Sequence, residues 1–210
     1  MKLISKEDNS TLIRDALALV LKLETDNQQA LATIAGSDPE DWAFDVYVER
    51  AEPWALFAED VWPIVDVTLE SVAYEGGAGN ANVHQMAEGV YSIKVHAACK
   101  AEETMEGHNP ADYQSAIKCQ RVIMLVRNIL MNWENDYLKM DPKVIGKKQI
   151  SSIEYFTGKE ISGLHVAAAQ VTMSMRFTES TEMPTPSVLE GTDITIESDG
   201  RLVNNIKVEL

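Results

Sequence analysis

Basic residues are scarce in this chain. Of 210 residues, 18 are Lys or Arg against 33 Asp or Glu, a formal net charge of −15. A surface that grips nucleic acid by releasing counterions needs clustered cations. The only local group, Lys143, Lys147 and Lys148, is too small to make one. Tight nucleic-acid binding is not expected, although a surface past which DNA slides without sticking is compatible with this charge. Cysteine is scarce too. Cys99 and Cys119 form no CxxC pair and have no histidine at metal-ligand spacing. Both are expected to be reduced thiols in or near the core, since free cysteine is commonly buried and a protein inside a cell rarely keeps a disulfide. No apolar run approaches the roughly 18 residues needed to span a membrane. The opening MKLISKEDNS has a short apolar patch ending at Ser5 and then a charged run, which does not match a secretory leader. A soluble protein made in the cytoplasm is expected.

Catalytic motifs are lacking as well. His84, His96, His108 and His165 are scattered, and no HExxH, GxSxG or Cys/His nucleophile context appears. Carboxylates are plentiful, so close pairs are expected by number alone and do not signal acid–base catalysis. No dense Asp/Asn loop with a turn glycine and a distal Glu marks a calcium site. The expectation is therefore no enzyme, no cofactor and no metal.

What is present is a patterned core. Hydrophobic residues make up 45% of the chain, enough for one real domain. Leu12, Ile13, Ala16, Leu17, Leu19, Val20 and Leu23 recur at helical spacing behind Ser5 or Ser10 as the cap. Gly36-Ser37-Asp38-Pro39 stops that helix. Trp42 to Val48 alternates as a strand with Trp42, Phe44, Val46 and Val48 on one side. Between Pro53 and Pro63 lie Trp54, Phe57 and Trp62, bulky aromatics that either pack on the chain's own core or anchor a subunit contact.

Ile64 to Tyr74 and Gly89 to Ala98 alternate as two strands of an antiparallel hairpin. Their connection, Glu75 to Glu88, is about fourteen residues long, where tight hairpins use two to five. It holds Gly76, Gly77, Gly79, Asn80, Asn82 and His84. A long connection on a rigid hairpin is a usual place for function. It is not a phosphate cradle: it lacks GxxxxGK[ST] and leads into a strand. Asn109 is the expected cap of the main helix, with Pro110 at its first position. Ala116, Cys119, Ile123, Val126, Leu130 and Trp133 form its apolar stripe, widened by Tyr113, Ile117, Val122, Leu125 and Ile129. From Pro110 to Trp133 it would span roughly 36 Å. Arg121 and Arg127 are read as solvated, or as partners for carboxylates of the same or another subunit.

Gln149 to Phe156 and Leu164 to Thr178 are two further strands joined by a Gly158–Gly163 turn. Glu179 to Gly191 is a linker. Beyond it, Ile194 and Ile196, the Ser198-Asp199-Gly200 turn and the alternating Leu202 to Leu210, with Ile206 and Val208, form a C-terminal hairpin. The expected organisation is an α+β core over 1–180, with a mixed or antiparallel sheet flanked by helices and a long hairpin loop. A linker and C-terminal β-arm follow over 181–210. Such an arm can add to a neighbour's sheet edge.

The order helix, strand, strand, long loop, strand, helix, strand, strand carries a resemblance. IVDVTLESVAYE leads through the Gly-rich loop to GVYSIKVHAACKAEE, then DYQSAIKCQRVIMLVRNILM, ISSIEYF and VAAAQVTMSMRFTE. With Tyr91, Ile93 and Val95 in one strand, Arg121, Ile123 and Arg127 in the helix, and Phe177-Thr178-Glu179 closing the long strand, the stretch from Trp62 to Glu179 resembles the tail terminator and neck (tail completion) proteins of long-tailed bacteriophages. The resemblance implies a structural virion protein assembled in the host cytoplasm: a hexameric ring that stops growth of the tail tube and joins it to the head connector. Its implied partners are further copies of itself, the tail tube protein and a connector or neck protein. DNA would pass through the lumen without specific binding, and no membrane would be involved. The long loop would contact the tube or line the channel. Another neck, head-completion or tube-related protein, or a monomer that binds through its loop, are the alternatives.

Overall fold

The structure, a computed structural model, describes residues 8–50, 63–75, 84–100, 102–104, 107–161, 163–180, 193–196 and 202–205. It is α+β, built on a five-stranded mixed sheet that does not close.

Helix α1 (Asn9–Ala35) is capped by Asp8, whose carboxylate accepts from the Thr11 N–H at 2.8 Å and from the Ser10 hydroxyl at 2.7 Å. Asp8 thus takes the role expected of Ser5 or Ser10. The helix ends where the sequence stops it. Gly36 turns left-handed at φ 71°, and the Ser37 N–H reaches back to the Ala32 carbonyl. A 3-10 turn (Pro39–Trp42) leads to β1 (Asp45–Val48), shorter than the expected strand because that turn takes up Trp42. β1 lies parallel to β2 (Ile64–Tyr74), which forms the expected antiparallel hairpin with β3 (His84–Cys99). A small hairpin follows, β4 (Glu102–Thr104) with β5 (Gly107–Asn109). Asn109 therefore ends a strand, and α2 (Ala111–Met131) starts behind Pro110 with no side-chain cap, a correction to the expected one.

β6 (Ile145–Ile161) and β7 (Leu164–Ser180) are both longer than alternation indicated. The sheet order is β1-β2-β3-β7-β6, with every pair antiparallel except β1–β2. β8 (Asp193–Ile196) and β9 (Leu202–Asn205) pair with each other, and β9 passes near β1 and α1.

Both helices pack on one face of the sheet. Ile13, Leu17 and Leu21 of α1 and Cys119, Ile123, Val126 and Leu130 of α2 join one core with Val65, Val67, Tyr91, Ile93, Val95, Val171, Met173, Met175 and Phe177. The stripe expected on α2 is right at its centre and wrong at its ends. Tyr113 is 62% exposed and Trp133 78% exposed. The helix stops at Met131, so Trp133 sits in a following 3-10 turn and turns away from the core. That turn is held from below: Lys148 Nζ donates to the Asn135 carbonyl at 2.7 Å and lies 3.4 Å from the Asp136 carboxylate.

One close approach shapes the core. A Cβ on Gly89 would lie 2.7 Å from the Tyr91 hydroxyl oxygen. The glycine leaves room for the phenol, which donates to the Ser10 carbonyl at 3.1 Å and ties β3 to the start of α1. The same helix start is fastened to β7. Asn9 donates through its side chain to the Thr178 carbonyl at 2.6 Å and through its N–H to Glu179 at 3.2 Å.

Candidate functional site

The face of the sheet away from the helices is polar and laid out in rows. Tyr47, Asp66, Lys94, Gln170 and Glu154 stand side by side across five strands. Thr68, Ser92, Thr172 and Ser152 form the next row across four. Strand alternation dictates this: each is the neighbour of a core residue and so points the other way. Part of the face is buried all the same. Asp66 and Ser92 are fully buried, and His96 nearly so.

Burial raises the Asp66 carboxyl above its ordinary value, against the Arg50 N–H and the Thr68 hydroxyl, each donating to it at 3.0 Å. Burial, helped by the positive charge of Lys94, pulls His96 down to about 4, so its imidazole is neutral at pH 7. On the other face, burial pushes the Cys119 thiol up to about 12; its Sγ lies 3.8 Å from the Val95 carbonyl. A thiol held protonated in this way is a packing group, not a nucleophile. Cys99 is also unbridged. Among the described residues no three His, Cys, Asp or Glu side chains are grouped so as to hold a metal ion. No described helix is long and apolar enough to cross a membrane.

The expected contact residues divide three ways. Trp54, Trp62, Gly76, Gly77, Gly79, Asn80, Asn82, Ile206 and Val208 lie outside the described residues. His84 was expected in the loop and is instead the first residue of β3, paired with Ser180 of β7. The reason is non-local: β7 runs far enough to give His84 through Glu88 a partner, so the connection spans only 75–83. Arg121 is exposed on α2. Arg127 is half-buried, and its guanidinium donates to Asn128 at 3.3 Å. Neither arginine forms an ion pair among the described residues. Met124 and Met131 are exposed on α2, on the same side as Arg121 and Asn128.

Which strands stand at the open edges was not legible in the sequence. β6 pairs with β7 on one side and with no described strand on the other. β1 covers β2 only from Ile64 to Val67, so Thr68 to Tyr74 has no strand on its outer side among the described residues. Exposed aromatics mark both edges: Tyr74 on β2, and Tyr155 and Phe156 on β6. The signal was faint because three register shifts in β6, at Ile145/Lys148, Ile150/Ser152 and Phe156/Lys159, break its alternation. No protein-family model matches this chain, and no curated protein is significantly similar to it.

Proposed function

We propose that this chain is a structural protein of a bacteriophage virion, a tail terminator or neck component. It would act as a ring at the head-proximal end of the tail tube, ending tube growth and meeting the head connector. The observation that carries this reading is the hairpin of β2 and β3 set on a sheet open at both sides. The long strands Ile64–Tyr74 and His84–Cys99 form the hairpin that the Gly-rich connection joins, and among the described residues two strand edges are left without a partner strand. The order of the long elements is the one from which the resemblance was drawn, with the short hairpin of β4 and β5 added before α2. The net charge of −15 suits a lumen through which DNA slides, because phosphate meets like charge there. The task on this reading is assembly, not catalysis, with the tube protein, the connector and further copies of the chain as partners.

The test is light scattering and negative-stain imaging of the purified protein, alone and with tail tubes of the same virus. Closed rings with a central hole, seated at tube ends, are expected. A strict monomer that leaves tube length and tube ends unchanged overturns the proposal.

A further inference from the structure

The two open edges of the sheet differ in charge and lie at the same level. Following the pairing across the strands, Gln149 of β6 is level with Ser174, Val90 and Ser71, and Lys148 is level with Met175, Gly89 and Val72. The start of β6 therefore stands level with the uncovered half of β2. On the β6 side, exposed Lys143 and Lys147 precede and begin the edge. From Lys143 to Lys159 the chain has four lysines and a single carboxylate, Glu154, although carboxylates outnumber basic residues 33 to 18 in the whole. On the β2 side stand Glu70 and Glu75, both exposed, with Tyr74 between them, while Glu49, paired with Arg14 at 3.2 Å, accepts the Leu69 N–H at 3.0 Å. Lys94 lies 3.7 Å from Glu70 and Arg176 3.8 Å from Glu75, loose pairs that leave both carboxylates facing water.

Strand direction fits as well. β2, β3, β7 and β6 alternate in direction without exception, so β6 runs opposite to β2. A second copy turned about an axis along the strands would bring its β2 edge antiparallel to this β6. That pairing gives the evenly matched ladder that free edges can make.

We infer that the sheet continues from one copy of this chain into the next, the first part of β6 (residues 145–150) lying antiparallel against the outer half of β2 (residues 68–74) of a second copy. The contact is heterologous, since it joins two different patches, and repetition closes a ring if the turn per copy allows. Lys143 and Lys147 then stand nearest Glu75 of the neighbour, while Glu70 lies level with Gln149 and Ile150. The inference rests on the ring reading above and names its seam.

Bulges and lysines are also the means by which a solitary protein keeps a strand edge from pairing, so the experiment must separate the two roles. One variant carries Lys143→Glu and Lys147→Glu; a second carries Glu70→Lys and Glu75→Lys. All four side chains are exposed, and circular dichroism checks that both variants fold. Sedimentation velocity at low salt compares wild type, each variant and their equal mixture. Association of the wild type, a loss of roughly tenfold or more in apparent affinity for each variant alone, and recovery in the mixture are expected, because like charges set against each other weaken a contact and swapped charges restore it.

Equal association of all samples overturns this seam while leaving the ring reading standing. A wild type that stays monomeric even at high protein concentration also overturns the seam, with its edges then understood as protected. The ring reading fails separately, if tail tubes recruit no ring.

Discussion

On β7, Val171, Met173 and Met175 are fully buried beneath the helices, while Thr172, Ser174 and Arg176, interleaved with them, lie on the face that no described helix covers. The same strand thus serves two kinds of physics at every second residue. On the helix side, stability comes from apolar area removed from water, about 25 cal/mol per Å². On the other side, burial reaches polar groups as well as the small apolar cluster of Ala98, Leu164 and Val166, and the perturbed Asp66 and His96 record its cost. The two faces of one sheet thus bury different chemistry.

The largest effect expected on this comparison comes from neighbouring positions. Met173→Ala should lose about 2–5 kcal/mol of unfolding free energy through lost transfer energy and a residual cavity. Ser174→Ala should change it by no more than about 0.5 kcal/mol. Urea denaturation of the two variants measures this, and comparable losses would break the distinction between the faces.

The second effect is a pH dependence that comes from the face away from the helices. The His96 value falls from 6.5 when unfolded to about 4 when folded, so between these values the unfolded chain binds more protons. Its contribution to stability is full above pH 6.5 and is lost as the pH falls toward 4. At about 1.4 kcal/mol per unit, the loss approaches ~3 kcal/mol. Asp66 works the other way: its raised carboxyl favours the folded state as it protonates, offsetting part of the loss at the acid end. Denaturation at pH 7 and pH 5 should show the drop in wild type and a flatter profile in His96→Gln. An unchanged slope would refute the assignment.

A third prediction sharpens how tightly the covered face is packed. Gly89→Ala drives a methyl into the Tyr91 ring, which has no space to swing aside, and should cost about 1–3 kcal/mol as overpacking. Tyr91→Phe in the same background shows whether the lost bond to the Ser10 carbonyl accounts for the penalty. The smallest effect is at the misjudged end of α2. Trp133→Ala should change stability by less than about 0.5 kcal/mol, despite being the chain's most conspicuous aromatic on a helical stripe.

The strands of the centre were legible because their alternation is clean. Val65, Val67, Ile93, Val95, Val171 and Met173 occupy every second position of their strands, and all lie in the core. Where reading failed, distant partners decided the outcome. A helical period continues formally through Trp133, but the backbone leaves the helix at Asn132, whose side chain accepts from the Glu134 N–H and starts a new turn. β6 looked half its length because bulges shift its phase. Alternation with Val95 puts His96 on the side of its strand away from the helices, yet nothing local announces that this side is buried there. Of the expected contact residues, His84, Arg121 and Arg127 fall within the described structure, and none of the three belongs to the two open edges. Those edges follow from strand order, which no single segment encodes.

The bonds from Asn9 to Thr178 and Glu179 join positions 169 and 170 apart, and the central seam of the sheet, β3 against β7, waits for the later strand. During synthesis, about 65 residues separate Cys99 from Leu164. At roughly 5–20 residues per second, the nascent hairpin spends on the order of 3–13 s with one long edge bare. α1 waits as well, since its first turn has only the Tyr91 bond to the Ser10 carbonyl until residue 179 has left the ribosome. The last long strand made is the one that locks the first helix, so a chain released before 180 is an unfinished domain, not a smaller one, and should be digested by protease throughout.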